Sequence, residues 1–457
     1  GEAQNIEAVK DREAAGVVID SRKTEADFVF IATKGARADG HAFIPAVMRQ
    51  GALGVVCERT PGESETTPYI LVKDSFSALK KIAAAYRESL RIPIVGVTGS
   101  VGKTSTKECI ASVLSQKYNV LKTKGNFNNE IGLPLTLLEI REEHEAAVVE
   151  MGINHFGEMT RLSEIAKPDI CVITNIGECH LEALGDRDGV LKAKTEIFTH
   201  MRQDGRVVLN GDDDKLRTVR EVNGKAPLFY GTGEDAAVYG VYGRSIENKG
   251  LFGTLAEITL PENAGGRFSV DIPLPGAHML SNALAAAAVG ELLGVSVPQI
   301  KKGIESVEPV GGRSRILTDG RYTIIDDCYN ANPVSVRAAL DLLSLAKTRT
   351  VAILGDMLEL GENERALHED VGKYVLDRGI NVLVAIGALA EDIYLSALTE
   401  RWALDETTLI GIFYFKDKAA FLKDAEKILR DGDTILLKAS HSMGFEELTE
   451  ALEKGAG

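Results

Sequence analysis

No apolar run in the sequence approaches the roughly 18 residues that a bilayer-spanning helix needs, so no membrane insertion is expected. Positive charge is in deficit: 52 Lys and Arg against 67 Asp and Glu leave a formal charge of −15. That balance argues against a broad nucleic-acid surface but leaves room for local basic pockets that hold small anions. Cysteine is sparse. Cys57, Cys109, Cys171, Cys179 and Cys328 are odd in number and scattered, with no Cys-x-x-Cys pair. This argues against a disulfide framework or a zinc knuckle and for a reducing, cytoplasmic setting. No signal-like apolar segment follows Gly1, and no internal repeat or low-complexity tract is evident.

What is present is an ordinary globular composition, 44% hydrophobic and 26% charged, in a chain of 457 residues that is too long for one core. The expected fold class is α/β in three domains, spanning residues 1–90, 91–312 and 313–457, with linkers near Leu90–Pro93 and Val310–Ser314. In the first, short apolar runs at Gly16–Ile19, Phe28–Ile31, Leu53–Cys57 and Tyr69–Val72 alternate with helix-like stretches such as Ser75–Leu90. The second begins with strand Ile94–Val97, a glycine-rich turn and a helix over Lys103–Gln116. Strands at Ala146–Met151, Ile170–Thr174 and Val207–Asn210 follow, a rotation that predicts a doubly wound parallel sheet. Alternating residues broken by Gly and Asn between Ala236 and Pro273 predict a small antiparallel meander attached to it, closed by a helix over Met279–Leu293. The third, a Rossmann-like α/β series, has strands predicted at Tyr322–Ile325, Thr350–Leu354, Val382–Ile386, Ile410–Phe413 and Thr434–Leu437.

The strongest local signal is Gly96-Val-Thr-Gly-Ser-Val-Gly-Lys-Thr104, placed between a strand and a helix as a phosphate cradle requires. Thr98, Gly99, Ser100, Val101, Gly102 and Ser105 supply the loop whose N–H groups converge on phosphate oxygens. Lys103 would neutralise the β/γ-phosphates, and Thr104 would ligate magnesium. From Gly96 to Gly102 the spacing departs by one residue from the strict phosphate-loop form, which points to a variant subfamily. A carboxylate, Glu150, ends the next long strand where a switch GTPase more usually places aspartate, and no Asn-Lys-x-Asp guanine motif is present. His180 follows strand Ile170–Thr174 on a loop at the same sheet edge, a position suited to a metal or phosphate contact. His41, in Ala38-Asp39-Gly40-His41, fits a substrate contact and a simple turn equally well. His144, His155, His200 and His368 read as structural, and spacing alone reads Lys194 as a solvated helix lysine.

Together these motifs resemble the Mur ligases of peptidoglycan synthesis over nearly the whole chain. The resemblance rests on Asp20-Ser21-Arg22, Asp39-Gly40-His41, the phosphate loop and Gly125-Asn126-Phe-Asn128-Asn129-Glu-Ile-Gly132-Leu-Pro134. It continues through Glu150, Asn175-Ile-Gly177 with His180, Ala193-Lys194, Gly276-Ala-His278 with Asn282, and Gly312-Arg313. The strings Asp326-Asp327-Cys-Tyr329-Asn330-Ala-Asn332-Pro333 and Leu354-Gly-Asp-Met-Leu-Glu-Leu-Gly361 resemble the branch that adds D-alanyl-D-alanine. The Asp-Asn-Pro-Arg signature of the branch adding the third residue is absent.

The resemblance implies an ATP- and Mg2+-dependent amide ligase joining D-Ala-D-Ala to UDP-MurNAc-tripeptide through an acyl phosphate. It implies catalysis by Lys103, Glu150, His180, Lys194 and Arg313, with metal held by Thr104, Glu150, His180 and a carbamylated Lys194. Asn282 would face adenine, Arg313 the γ-phosphate, and Asp327 with Tyr329, Asn330 or Asn332 the ribose and phosphates. Ser21, Arg22 and His41 would hold the UDP moiety, with Asn126, Asn128 and Asn129 also on the substrate, and the C-terminal domain would receive the incoming dipeptide. A cytoplasmic monomer without nucleic-acid partners is expected. The alternatives are another Mur- or folate-type amide ligase, or a non-catalytic phosphate-loop nucleotide binder. Four positions depart from the family pattern: Met279 stands for asparagine, Cys328 for serine, Ala439 for glycine and His441 for arginine.

Overall fold

The computed structural model describes residues 2–35, 38–61, 66–233, 239–261, 265–318, 320–401 and 411–454. The expected starts of the meander at Ala236 and of a strand at Ile410 lie outside the described residues. Three sheets organise the chain.

The first contains β1 (Glu2–Gln4), β2 (Gly16–Val18), β3 (Phe28–Ile31), β4 (Gly54–Cys57) and β5 (Tyr69–Leu71), in the order β1-β5-β4-β3-β2. Only β1 pairs antiparallel. Successive strand side chains point to opposite faces, and both faces are apolar. Phe30, Val55 and Cys57 pack with Ile44 and Val47 of helix Ile44–Arg49. Ile31 and Val56 face the other way, onto Leu79 and Ala83. Those two belong to helix Ser75–Ser89, whose first turn is capped by Asp74 accepting from the N–H groups of Phe76 and Ser77.

The buried stripe of that helix, Ser75, Leu79, Ala83 and Arg87, recurs every four residues and ends on a charge. Arg87 is 1% exposed and donates to Ala166 O at 2.7 Å, Lys167 O at 3.0 Å and Asp169 Oδ2 at 2.7 Å. The same Asp169 oxygen accepts from Ile94 N at 2.8 Å, so Arg87 pins the first sheet's helix to the start of the central one. Arg87→Met would strand three carbonyls, Leu90 O among them, and a carboxylate; an unfolding free energy lower by about 3 kcal/mol is expected in denaturant titration, as for other broken buried pairs.

The central sheet has nine strands: β6 (Ile94–Thr98), β7 (Val120–Lys122), β8 (Ala146–Glu150), β9 (Ile170–Ile173), β10 (Arg206–Asn210), β11 (Leu228–Gly231), β12 (Val241–Asn248), β13 (Thr254–Thr259) and β14 (Arg267–Ile272). Their order is β14-β13-β12-β11-β10-β9-β6-β8-β7. The expected antiparallel meander is formed by β12, β13 and β14 and continues the central sheet. Strand β12 pairs parallel with β11, and β13 and β14 extend the same sheet antiparallel. Chain order turns outward on both sides of β6, toward β8 on one side and β9 on the other. A crevice therefore opens at the carboxyl end of β6, where open α/β sheets bind ligands. Helix Lys103–Leu114 starts there and packs on helix His278–Leu292. The latter buries Ala283 and Ala285–Ala288 on every side and is thus a core helix between layers.

The third sheet orders β15 (Arg315–Leu317), β16 (Thr323–Asp326), β17 (Thr350–Gly355), β18 (Val382–Ile386), β19 (Gly411–Phe415) and β20 (Thr434–Lys438) as β15-β16-β20-β17-β18-β19. All its pairings are parallel except that of β15 with β16. Along β17 Val351 and Ile353 enter one core and Ala352 and Leu354 the other, as a strand covered on both faces requires.

Candidate active site

The phosphate loop is held open by its neighbours rather than by itself. Asn175, just after β9, accepts from Val101 N through Oδ1 at 3.0 Å and donates from Nδ2 to Val101 O at 3.0 Å. Ser100 N donates to Asn175 O, and the Ser100 hydroxyl accepts from Gly177 N at 2.8 Å. Gly102 takes φ 78° as the residue preceding helix Lys103–Leu114. At Gly99, φ is 152° and a Cβ would lie 1.9 Å from Thr174 Oγ1. Gly99→Ala is therefore expected to push the loop off the β9 edge and weaken ADP binding at least tenfold by calorimetry, with the circular dichroism spectrum retained.

Lys103 folds its ammonium back on the loop, donating to Gly99 O at 2.8 Å and Ser100 O at 3.3 Å. Burial pulls its pKa below the ordinary lysine value, with Glu150 pulling the other way. Glu150, 1% exposed at the end of β8, accepts from Thr104 Oγ1 and from Asn128 Nδ2, each at 2.8 Å, one bond on each carboxylate oxygen. Lys107 Nζ stands 4.0 Å behind it. His180 takes left-handed backbone, φ 52°, and its Nδ1 lies 2.8 Å from Glu359 Oε2 of the third unit. Its pKa is lowered, first by burial and then by the charges of Lys194 and Lys103, with Glu359 opposing.

Lys194 is buried, 1% exposed, which overturns the solvated-lysine reading. Val190, Ala193, Lys194 and Ile197 fall at i, i+3, i+4 and i+7, so Lys194 sits inside the apolar stripe of its helical segment. That signal was legible in the sequence. Its pKa is pulled down to about 8 by burial, with Cys179 opposing and the charge of Lys103 adding.

Lys103, Glu150 and His180 border one cavity of about 840 Å³ between the central and C-terminal units, whereas Gly99, Thr104 and Lys194 are not among its lining residues. Ser100, Val101, Gly102, Lys103, Ser105, Glu150 and His180 line one side; Arg313, Asp327, Tyr329, Asn330 and Asn332 line the other. Arg313 stacks its guanidinium 4.0 Å over the Tyr329 ring. Asp327 accepts from Lys438 Nζ at 2.6 Å and from Ser314 N at 2.9 Å. Asn332 lines the cavity but uses its side-chain oxygen to cap helix Pro333–Leu343 through Ser335 N at 2.9 Å. Asn282 also reaches the cavity, with Oδ1 accepting from Thr106 Oγ1 at 2.8 Å and Nδ2 donating to Met279 Sδ at 3.3 Å. Met279 thus holds the asparagine in place from behind.

Other expected residues lie elsewhere. Thr98 is fully buried in β6, and its hydroxyl has no hydrogen-bond partner. Ser21 and Arg22 form a turn capped by Asp20, whose carboxylate takes both Arg22 Nε at 2.9 Å and Nη2 at 2.8 Å and is held down to about 2. They do not border the cavity. His41 has both ring nitrogens engaged: Nδ1 faces Asp39 Oδ1 at 2.7 Å and Nε2 accepts from Glu58 N at 2.9 Å, so it braces the first unit. Asn129 lines the cavity while its Oδ1 caps helix Gly132–Leu137 through Gly132 N at 2.9 Å; Asn126 is exposed and off the cavity. Sequence reading missed Asn210, Asp212 and Thr232, which border the cavity at the ends of β10 and β11. The signal was Asn210-Gly-Asp212 closing an expected strand.

The departures near the C-terminus have a physical account in one case. The Ala439 methyl occupies the space opposite Gly355, where a second Cβ would approach it to 2.7 Å. His441 is exposed, its ring tilted against Tyr329 at a centroid distance of 5.3 Å and its Nδ1 3.4 Å from Glu446 Oε1.

Family models match in order along the chain: the Mur ligase family catalytic domain over residues 13–87, the Mur ligase middle domain over 97–290, and the Mur ligase glutamate ligase domain over 312–441. The chain belongs to the Mur ligase family. Among its relatives is the UDP-N-acetylmuramoyl-tripeptide–D-alanyl-D-alanine ligase of Bacillus subtilis (strain 168), 37% identical over 96% of this chain and 93% of that protein. Among solved structures it is similar to MurF from Acinetobacter baumannii, with a TM-score of 0.85, 32% identity and coverage of 96% of this chain and 93% of that one. It is also similar to MurF ligase from Thermotoga maritima in complex with ADP, with a TM-score of 0.82, 31% identity and coverage of 96% and 97%. Among the described residues no helix is long and apolar enough to cross a membrane.

Proposed function

We propose that the protein joins D-alanyl-D-alanine to UDP-N-acetylmuramoyl-tripeptide with ATP, giving UDP-MurNAc-pentapeptide, ADP and phosphate in the cytoplasm. The observation that carries this reading is the shared cavity in which the phosphate loop, Glu150 and His180 of the central unit face Arg313 and Asp327 of the C-terminal unit. Near full-length similarity to ligases of this specificity supports it.

The reaction brings a carboxylate to a triphosphate, and two anions repel. Lys103 and Arg313 offset that repulsion and bear on the charge spreading over the transferred phosphoryl group. A terminal carboxylate oxygen of the tripeptide bonds to the γ-phosphorus as ADP leaves. The dipeptide amine then adds to the acyl phosphate carbonyl, loses a proton, and phosphate departs as the amide forms.

Magnesium fits the donors present: the Thr104 hydroxyl and Glu150 carboxylate are hard oxygens 2.8 Å apart. Among the described residues no three His, Cys, Asp or Glu side chains converge as a metal cage, so phosphate oxygens would have to complete the shell. When bound, magnesium supplies positive charge against both anions. Glu150 and His180 would serve a second ion together with Lys194 as its carbamate, which replaces a cation by a carboxylate-like ligand.

In this reading residues 1–90 hold the UDP-sugar, 91–312 the ATP phosphates, and 313–457 the rest of the nucleotide and the dipeptide, in a monomer. Incubation with Mg-ATP, UDP-MurNAc-tripeptide and D-Ala-D-Ala is expected to yield a pentapeptide mass and one phosphate per product. Phosphate release indifferent to either substrate, or equal use of free D-Ala, contradicts the proposal.

A further inference from the structure

His180 and Glu359 meet across the boundary between the central and C-terminal units, and both pay for the meeting in backbone conformation. Each is a non-glycine residue in the left-handed region, with φ 52° and φ 63°, a conformation held only where the surroundings impose it. The two units pack closely on either side of the pair. A Cβ on Gly361 would sit 3.3 Å from the backbone of Glu182, and one on Gly177 would sit 3.3 Å from Val334 Cγ2. Leu181 packs against the cores of both units. The 2.8 Å contact between His180 Nδ1 and Glu359 Oε2 therefore belongs to a docked face and is not a loose surface pair, although the Glu359 side chain is 60% exposed.

An ionised carboxylate only accepts hydrogen bonds, so the nitrogen facing it must carry the proton. With the proton on Nδ1, a neutral imidazole leaves Nε2 as a bare lone pair, and His180 borders the cavity. Carboxylate partners of this kind fix the ring and tautomer of metal-binding histidines. We infer that Glu359 is a positioning residue: it reaches from the C-terminal unit to set the tautomer and orientation of His180, so that the cavity presents a free Nε2 only when that unit is docked. What His180 then binds rests on the function proposed above; the tautomer does not.

The test is side-chain nitrogen NMR on the full-length, substrate-free protein labelled with 15N-histidine, with His180 assigned among the eight histidines by loss of its signals in His180→Asn. The wild-type protein is expected to show His180 protonated at Nδ1. In Glu359→Ala the proton is expected to move predominantly to Nε2, while Glu359→Gln, whose amide oxygen still accepts, keeps it on Nδ1. In turnover, Glu359→Ala is expected to lower kcat about 10- to 100-fold with KM for ATP within about threefold, and Glu359→Gln to recover most of the loss. An unchanged tautomer in Glu359→Ala, or a glutamine variant as impaired as alanine, overturns the inference. A tautomer that responds to Glu359 in a protein without ligase activity would instead overturn the proposed function and leave the positioning role standing.

Discussion

Lys103→Ala is expected to lower the rate of substrate-dependent phosphate release about 1,000-fold or more, the scale seen when a charge aimed at a transferring phosphoryl group is removed. The variant should keep its thermal unfolding midpoint. The phosphate loop is held in shape by Asn175, Ser100 and Gly177, which do not need the ammonium. The lysine is bonded only to two loop carbonyls, and burial works against its charge. A partly buried cation that faces the cavity, offset by Glu150, gains from an incoming anion, so the loss should appear in ADP affinity as well as in kcat. Loss of activity together with loss of the fold would mark Lys103 as structural.

The second large effect concerns Lys194. Carbamylation requires the neutral amine, and the fold supplies it: burial brings the pKa down to about 8. Near pH 7.5 tens of percent of such an amine is neutral, against about one in a thousand for an ordinary lysine. Carbon dioxide bonding to the nitrogen releases a proton, so the modification strengthens as pH rises through about 8 and is lost as pH falls below it. Protein supplied with 13C-bicarbonate is expected to show a carbamate carbonyl resonance that vanishes in Lys194→Ala. That variant should lose activity about 100-fold or more, because the proposed carbamate ligand would be removed. Wild-type activity that is insensitive to removal of carbon dioxide, with no carbamate signal, would return Lys194 to a buried structural lysine.

Parts of this architecture were legible in the sequence for local reasons. Strands β6, β8, β9 and β10 are compact apolar runs because a parallel sheet covered by helices is buried on both faces. Strands β1 (Glu-Ala-Gln), β7 (Val-Leu-Lys) and β15 (Arg-Ile-Leu) each carry a polar or charged residue within three positions, unlike the equally short apolar β2 and β5, and their pairing is decided by neighbours distant in sequence. The phosphate loop is contiguous and carries its own chemistry. Asn210, Asp212 and Thr232 become cavity residues only because β10 and β11 lie beside β9 in the sheet, which no local pattern states. His41 shows the reverse case. Its turn motif was visible, but the use of both ring nitrogens, one by a residue 17 positions away, was not.

The central claim is that the tripeptide carboxylate is activated by phosphoryl transfer inside this cavity. The most direct test labels that carboxylate with 18O and follows the phosphate formed with Mg-ATP and D-Ala-D-Ala. The account predicts one 18O atom in each phosphate released, because the oxygen that bonds to phosphorus leaves with it when the amide forms. Phosphate without label, in a reaction that still yields the pentapeptide, would contradict it.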